Sequence, residues 1–322
     1  MVRIVVTLAL IGFVIHKAGL LDSQERGEFV ETIKSVNPYY LCLSLLVSVI
    51  MNWVSSYKWH ILLRSKKLSV GLPRLFALYY VGKFFNLFLP TGMGGDVARV
   101  YELGKLINTH SQSLASVFLE RFTGLITLTM VSLIAVFISM HQYDIPLITS
   151  SMLLYVIIVA MIIWLILDTR PLGLISQLAR RYFTSLSGMI SKIERIHDAI
   201  NSYKKDPATL WLAFAISLVF YFLAVINVWV SALAFSSNVE FLKILVAVPA
   251  IMLIMNLPVS IGGLGLMEAA YTVIFTAFGY SSGLALSTAL LIRLKTIIDG
   301  IIGGLFYLGG RKSRRPDPEH SP

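Results

Sequence analysis

Apolar residues fill this chain in long blocks separated by short polar stretches, and the blocks set its plan. The first block covers roughly residues 2–21. Residues 22–37 are polar and acidic, yet Phe29, Ile33 and Val36 are spaced for a short amphipathic segment. A second block runs from about Pro38 to Leu63, with Tyr39 and Tyr40 at one end and Trp59 at the other, where aromatic belts sit. Further blocks cover 112–140, 145–167, 209–235 and 282–309. A bilayer crossing needs roughly 17–25 apolar residues, so these six blocks read as transmembrane helices.

Two other blocks, 75–107 and 241–279, are broken in the middle. The first break is Asn86-Leu-Phe-Leu-Pro90-Thr-Gly92-Met-Gly94-Gly95-Asp96. The second is Asn256-Leu-Pro258-Val-Ser-Ile-Gly262-Gly263-Leu-Gly265-Leu-Met-Glu268. Both read Pro-x-x-x-Gly-Gly and both lead to an acid. In both, an arginine inside an apolar helix stands 25 residues after that acid: Arg121 after Asp96, Arg293 after Glu268. Each arm of a broken block reaches roughly 20 Å against a hydrocarbon core roughly 30 Å thick. Neither arm crosses alone.

Loop charge decides how the broken blocks run. The loop Arg64, Lys66, Lys67, Arg74 belongs inside by the positive-inside rule. If 75–107 crossed fully, the basic segment 168–208 would land outside, against the rule. If 75–107 enters and returns, that segment lies inside. The basic tail is also inside if 241–279 enters and returns from the opposite face. The fold class expected is therefore an all-α polytopic membrane protein with six transmembrane helices and two re-entrant helical hairpins. Residues 1–140 and 145–309 then form a 4+4 inverted repeat, an organisation typical of secondary transporters. The whole reads as one membrane domain, 1–310, with an amphipathic cytoplasmic linker at 168–208 and a basic, disordered tail at 311–322. Both termini are expected in the cytoplasm. The extra residues Leu264 to Met267 offset the second acid by about one turn, so the two acids are expected at different depths.

Composition agrees. The chain is 57% hydrophobic and 14% charged, with a mean hydropathy of +0.78; soluble domains carry about a quarter charged residues. The formal charge of +10 sits in loops and the tail, where topology and anionic lipid account for it without nucleic acid. The single cysteine, Cys42, excludes an internal disulfide and is expected in helix packing.

The chemistry centres on the breaks. Glycines 92, 94 and 95 allow close backbone approach, and the half-helix after Gly95 presents free N–H groups that favour an anion. Asp96 stands where an N-cap would, so it either caps that helix or, with Arg99, lines a polar cavity. Arg121 and Arg293 lie mid-membrane, where ionisable residues are costly and mark function or paired structure. Arg121 has Asp96 or Glu120 within reach as a partner, and Arg293 has Glu268 or Asp299. Arginine suits phosphate. The candidate binding set is Asp96, Arg99, Glu120, Arg121, Glu268 and Arg293. The hairpin tips are Asn86, Pro90, Gly92, Gly94, Gly95, Asn256, Pro258, Gly262, Gly263 and Gly265. Lys83 is expected to snorkel towards the inner surface, and Gly300, Gly303 and Gly304 to permit close helix packing. The six histidines are scattered without metal-ligand spacing, and no Walker, nucleophile-elbow or HExxH pattern occurs. Neither a metal nor a cofactor is expected, and no catalytic role is assigned.

Phe85 to Arg99, Leu119-Glu120-Arg121-Phe-Thr-Gly124 and Pro258 to Glu268 together resemble the signature of the lysylphosphatidylglycerol synthase transmembrane family, also called the flippase-domain family. The likeness covers about residues 1–310. The resemblance implies a domain that moves a lipid between leaflets. Some relatives carry a soluble aminoacyl-transferase domain that these residues do not include, so the synthase activity is not carried over. The expected function is a lipid flippase or lipid-linked transporter of the cytoplasmic membrane, moving a phospholipid or polyprenyl-phosphate-type headgroup between leaflets through a central polar cavity. Its expected partner is a membrane lipid with a phosphate headgroup. Three alternatives stay open: an enzyme on a lipid-linked substrate with Asp96 or Glu268 as base, an accessory subunit of a lipid-modifying enzyme, and a small-solute carrier. Homo-oligomerisation also stays open.

Overall fold

The computed structural model describes residues 2–17, 23–89, 94–143, 145–167, 206–257 and 259–312. Linker residues 168–205, the tip residues Pro90, Gly92 and Pro258, and the tail after residue 312 lie outside the described residues. Among those described, the chain is all-helical. The elements are α1 (Val2–Lys17), α2 (Ser23–Lys34), α3 (Pro38–Ser65), α4 (Leu72–Phe88), α5 (Gly94–Ile107) and α6 (His110–Gln142). They continue with α7 (Pro146–Leu167), α8 (Pro207–Leu233), α9 (Phe241–Met255), α10 (Leu266–Ala277) and α11 (Ser282–Lys312).

Starts of helices are written locally. Pro38 and Pro207 open α3 and α8, where a missing N–H costs nothing. Asn37 caps the first, its Oδ1 accepting from Tyr39 N at 3.0 Å. Asp206 caps the second, accepting from Thr209 N at 3.2 Å and from the Thr209 hydroxyl at 2.6 Å. Those two bonds hold the Asp206 carboxyl below its ordinary range. The amphipathic segment foreseen between the first two blocks is α2.

Among the described residues three helices, α3, α6 and α8, are long and apolar enough to cross a membrane. Shorter apolar helices accompany them at Ile148–Met161, Phe241–Met255 and Leu266–Ala277. The long α11 carries Arg293, Lys295 and Asp299 within its apolar run. Outward faces are apolar: Leu46, Val49, Ile50 and Trp53 of α3 are exposed, as are Leu133, Ile134 and Phe137 of α6. The inward face of α3 instead buries Ser44, Asn52, Ser55, Ser56 and Lys58. A helix with its polar residues inside and apolar ones outside fits a lipid surround. Cys42 lies on the exposed side of α3. The packing role expected for it is corrected, because its side chain is exposed rather than buried against a described neighbour.

The main packing partners are α4 with α11, α3 with α8, α4 with α5, α5 with α6 and α10 with α11. The α4–α11 contact depends on glycines. A Cβ at Gly303 would lie 1.9 Å from Tyr80 O, and one at Gly300 would lie 2.0 Å from a Leu87 methyl. The close packing foreseen for these glycines is present.

Candidate functional site

Both broken blocks fold as antiparallel helix pairs. In the first, Asn86 near the end of α4 accepts from Gly95 N, at the start of α5, at 2.7 Å. Further from the break, Gly82 faces Arg99, and Leu75 and Leu78 cluster with Leu103. Numbers rising along α4 meet numbers falling along α5, which defines the hairpin. A Cβ at Gly95 would lie 2.1 Å from Gly82 O, and one at Gly82 would lie 2.7 Å from Arg99 Cδ. Only glycine permits this approach. In the second pair, Glu240 N donates to the Tyr280 hydroxyl at 3.0 Å at the open end. Gly263 sits against Met255 at the closed end. Gly262, Gly263 and Gly265 have φ of +58°, +71° and +74°, a region that other residues enter at a cost.

Asp96 and Glu268 are each the third residue of their helices, α5 and α10. Leu264 and Gly265 belong to the left-handed glycine turn, and Leu266 and Met267 are the first two positions of α10. Asp96 is not in the capping position. Arg121 donates from Nε to Asp96 Oδ2 at 2.9 Å and from NH2 to Oδ1 at 3.1 Å. Arg293 donates from Nε to Glu268 Oε1 and from NH2 to Oε2 at 3.0 Å. The same two nitrogens grip the acid in each case. Glu268 also accepts from Gly265 N at 2.9 Å, so it both caps α10 and pairs.

The two arginines then differ. Arg293 is 12% exposed and also donates to Gly263 O at 2.7 Å and Gly262 O at 3.4 Å. It is spent on holding the second break in shape. Arg121 is 54% exposed and lines a cavity of about 110 Å³. That is the space of three or four waters at ~30 Å³ each. Lys58, Tyr79, Glu120, Ser217, Tyr221 and Asn256 line it with Arg121. Glu268 and Arg293 are not among its lining residues.

Charged groups pack tightly behind this cavity. Arg99, 3% exposed, pairs with Glu120 and reaches Asp96 at 3.4 Å. Its guanidinium lies 4.1 Å from the Trp59 ring centroid and 4.5 Å from that of Tyr79, a cation–π arrangement. Lys58 Nζ donates to the Glu120 backbone oxygen at 2.9 Å and to Ser217 Oγ at 3.1 Å. Three cations, Lys58, Arg99 and Arg121, therefore face two carboxylates, Asp96 and Glu120. One positive charge is left over in a mostly apolar surround, and charge buried that way is costly unless an anion answers it.

The described parts of the two breaks come together here. Asn256 belongs to the second break and lines the cavity beside Arg121 of α6. A Cβ at Gly262 would lie 3.6 Å from Leu87 O, so the second turn rests on the end of α4.

Lys58, Tyr79, Ser217 and Tyr221 escaped the reading of the sequence as site residues. A signal existed: Ser44, Ser48, Asn52, Ser55 and Lys58 recur at helical spacing in an apolar block, and Ser217 and Tyr221 do so in another. The reading of Lys83 is corrected. It does not snorkel; its Nζ meets Asp299 Oδ2 at 2.6 Å, because the deep Asn52–Asp299 contact offers it a carboxylate within the bundle. Among the described residues no group of three or more His, Cys, Asp or Glu is set to hold a metal.

Lipid-facing apolar helices around a buried charged site define a multi-pass helical membrane protein. The chain matches the model of the lysylphosphatidylglycerol synthase TM region over residues 1–304, and it belongs to that family. Two similar relatives are UPF0104 membrane proteins of Methanothermobacter thermautotrophicus. One is 22% identical over 287 residues, covering 83% of this chain and 84% of the relative. The other is 24% identical over 307 residues, covering 87% of each. A UPF0104 membrane protein of Pyrococcus horikoshii is 21% identical over 293 residues, covering 85% of this chain and 88% of the relative. No solved structure matches the chain.

Proposed function

We propose that the protein carries an anionic, phosphate-bearing lipid headgroup between the leaflets of the cytoplasmic membrane through the Arg121 cavity. Arg121 carries this reading. It sits in a membrane-length helix, is braced by Asp96 along one edge, is half exposed, and lines a cavity with one surplus positive charge. Its NH1 makes no hydrogen bond among the described residues, which leaves a donor for a phosphate oxygen. Only a small group fits in about 110 Å³, so the headgroup phosphate enters and the acyl chains stay in lipid.

The architecture proposed is six crossings, α1, α3, α6, α7, α8 and α11, with two re-entrant hairpins, α4–α5 and α9–α10. Exchanging the halves of a 4+4 inverted repeat sends α3 to α8, α4 to α9, α5 to α10 and α6 to α11. Packing supports the exchange. α3 packs on α8; α4–α11 is answered by α9–α6, α5–α6 by α10–α11, and α3–α4 by α8–α9. Rocking of one hairpin half against the other exposes the cavity to each face in turn. Both termini lie in the cytoplasm, and the chain acts without chemistry on the lipid.

The test is the full chain reconstituted in phosphatidylcholine vesicles with a trace of acyl-labelled fluorescent phosphatidylglycerol, followed by quenching of the outer leaflet. The wild-type chain moves the label faster than empty vesicles do. Arg121→Gln falls to the empty-vesicle rate while remaining folded, its stability lowered by no more than about 1 kcal/mol, the worth of its pair with Asp96. Transfer at wild-type speed by Arg121→Gln overturns the assignment. Chemical turnover of the lipid without transfer favours an enzyme instead.

A further inference from the structure

A second buried charged cluster lies outside the Arg121 cavity, and the proposed function leaves it unused. Asp299 of α11 accepts from Lys83 of α4 at 2.6 Å and from Asn52 Nδ2 of α3 at 3.1 Å. Asn52 Nδ2 also donates to the Tyr80 hydroxyl at 3.0 Å. One turn before Asp299, Lys295 is 4% exposed. Its Nζ donates to Asn227 Oδ1 at 2.7 Å and Ser231 Oγ at 2.8 Å, both on α8. Lys83 thus takes the one carboxylate, and Lys295, one turn away on α11, is held by neutral oxygens.

We infer that Lys295 is a proton-carrying site that couples lipid movement to the proton gradient. Its contacts suit it to exist in both states. The two hydrogen bonds seen use two hydrogens, and a neutral amine has two. Losing the third proton removes the surplus charge and breaks neither bond. The charged groups facing it are few: Asp299 one turn along α11, and Lys83 opposite on α4. From α8 it meets only Asn227 and Ser231. From α3 the cluster receives Asn52. On α10, Glu268 is taken by Arg293. Protonated, the cluster carries one positive charge; deprotonated, it carries none. A buried amine in that position binds a proton from the water of one compartment and releases it to the other, without a covalent step.

The cluster is built into the cavity walls. α8 carries Ser217 and Tyr221 at the cavity and Asn227 and Ser231 at Lys295, about 15 Å further along at 1.5 Å per residue. α3 carries Lys58 at one and Asn52 at the other, and α4 carries Tyr79 and Lys83. A change in charge at Lys295 therefore acts on three helices that also shape the headgroup site. Ionisable residues within membrane helices commonly form such relays.

The inference rests on the lipid-transfer reading, and one experiment separates them. The full chain in phosphatidylcholine vesicles moves acyl-labelled phosphatidylglycerol with and without an imposed difference of one pH unit. An entrapped pH dye reports proton flux. With one proton per lipid, that gradient shifts the steady-state leaflet ratio up to about tenfold. Lys295→Met keeps exchange without a gradient within about twofold and loses the gradient response. Lys295→Arg keeps the charge but cannot shed it, and it too loses the response. Rescue by Lys295→Arg means a structural cation and overturns the proposal. Should Lys295→Met fail to fold, Lys295→Arg and Asn227→Ala carry the test. Wild-type transfer that ignores the gradient overturns proton coupling and leaves lipid transfer standing. No wild-type transfer under either condition overturns the lipid reading itself.

Discussion

Arg121 grips Asp96 through Nε and NH2 at 2.9 and 3.1 Å, across 25 residues of chain. Arg293 grips Glu268 over the same interval with the same nitrogens. The two pairs tie the inner half-helix of each hairpin to the long helix that follows it. Their surroundings differ: Arg293 is 12% exposed and Arg121 54%.

Glu268→Ala should destabilise more than Asp96→Ala. The first strands an arginine that is 12% exposed and removes a cap from Gly265, a loss of about 3 kcal/mol. The second leaves Arg121, 54% exposed, with solvent and Glu120 nearby, a loss of about 1 kcal/mol. Thermal unfolding in detergent checks the order. A larger drop for Asp96→Ala contradicts the account.

Added methyl groups at close helix contacts should be resisted. Gly95→Ala and Gly303→Ala push a Cβ into backbone oxygens and should each lower stability by about 1–3 kcal/mol. Gly309 has open space around it, so Gly309→Ala should be neutral or mildly stabilising. Melting temperatures of the three variants decide this, and equal shifts would refute the packing argument.

Lys58→Met removes the surplus cation behind the cavity. Transfer of the anionic lipid should fall about tenfold, the worth of roughly 1.4 kcal/mol, while the melting temperature holds or rises because a buried charge is gone. Unchanged transfer would show that the surplus charge does not serve the headgroup.

Re-entrance is testable by labelling. Cys42 is the only cysteine, so a Cys42→Ser background is clean. Lys67→Cys precedes the first hairpin and Asn108→Cys follows it. Both should react with an impermeant maleimide from the same face, and His141→Cys from the other. Labelling of positions 67 and 108 from opposite faces means that the segment crosses.

The helix plan was legible in the chain because six apolar blocks run long, two are broken at proline and glycine, and many of their ends carry proline, capping residues or charge. The expected block 38–63 became Pro38–Ser65, and 209–235 became Pro207–Leu233. The acid–arginine pairs were legible from their equal spacing, although the spacing could not say whether Arg121 would take Asp96 or Glu120. The exposure of Arg121 and the burial of Arg293 could not be read, because both stand in similar apolar runs. That distinction depends on the Gly262 and Gly263 carbonyls turning towards Arg293, a tertiary matter. Lys58 was passed over and Lys83 misplaced for the same reason: a lone lysine in an apolar block gives no sign of which helix will face it.

The most direct test of the account is a structure of the full chain with phosphatidylglycerol added. The account predicts the phosphate against Arg121, with Lys58 behind it and both acyl chains lying outside the bundle. A headgroup bound elsewhere, with the Arg121 cavity holding only water or a small solute, would contradict it.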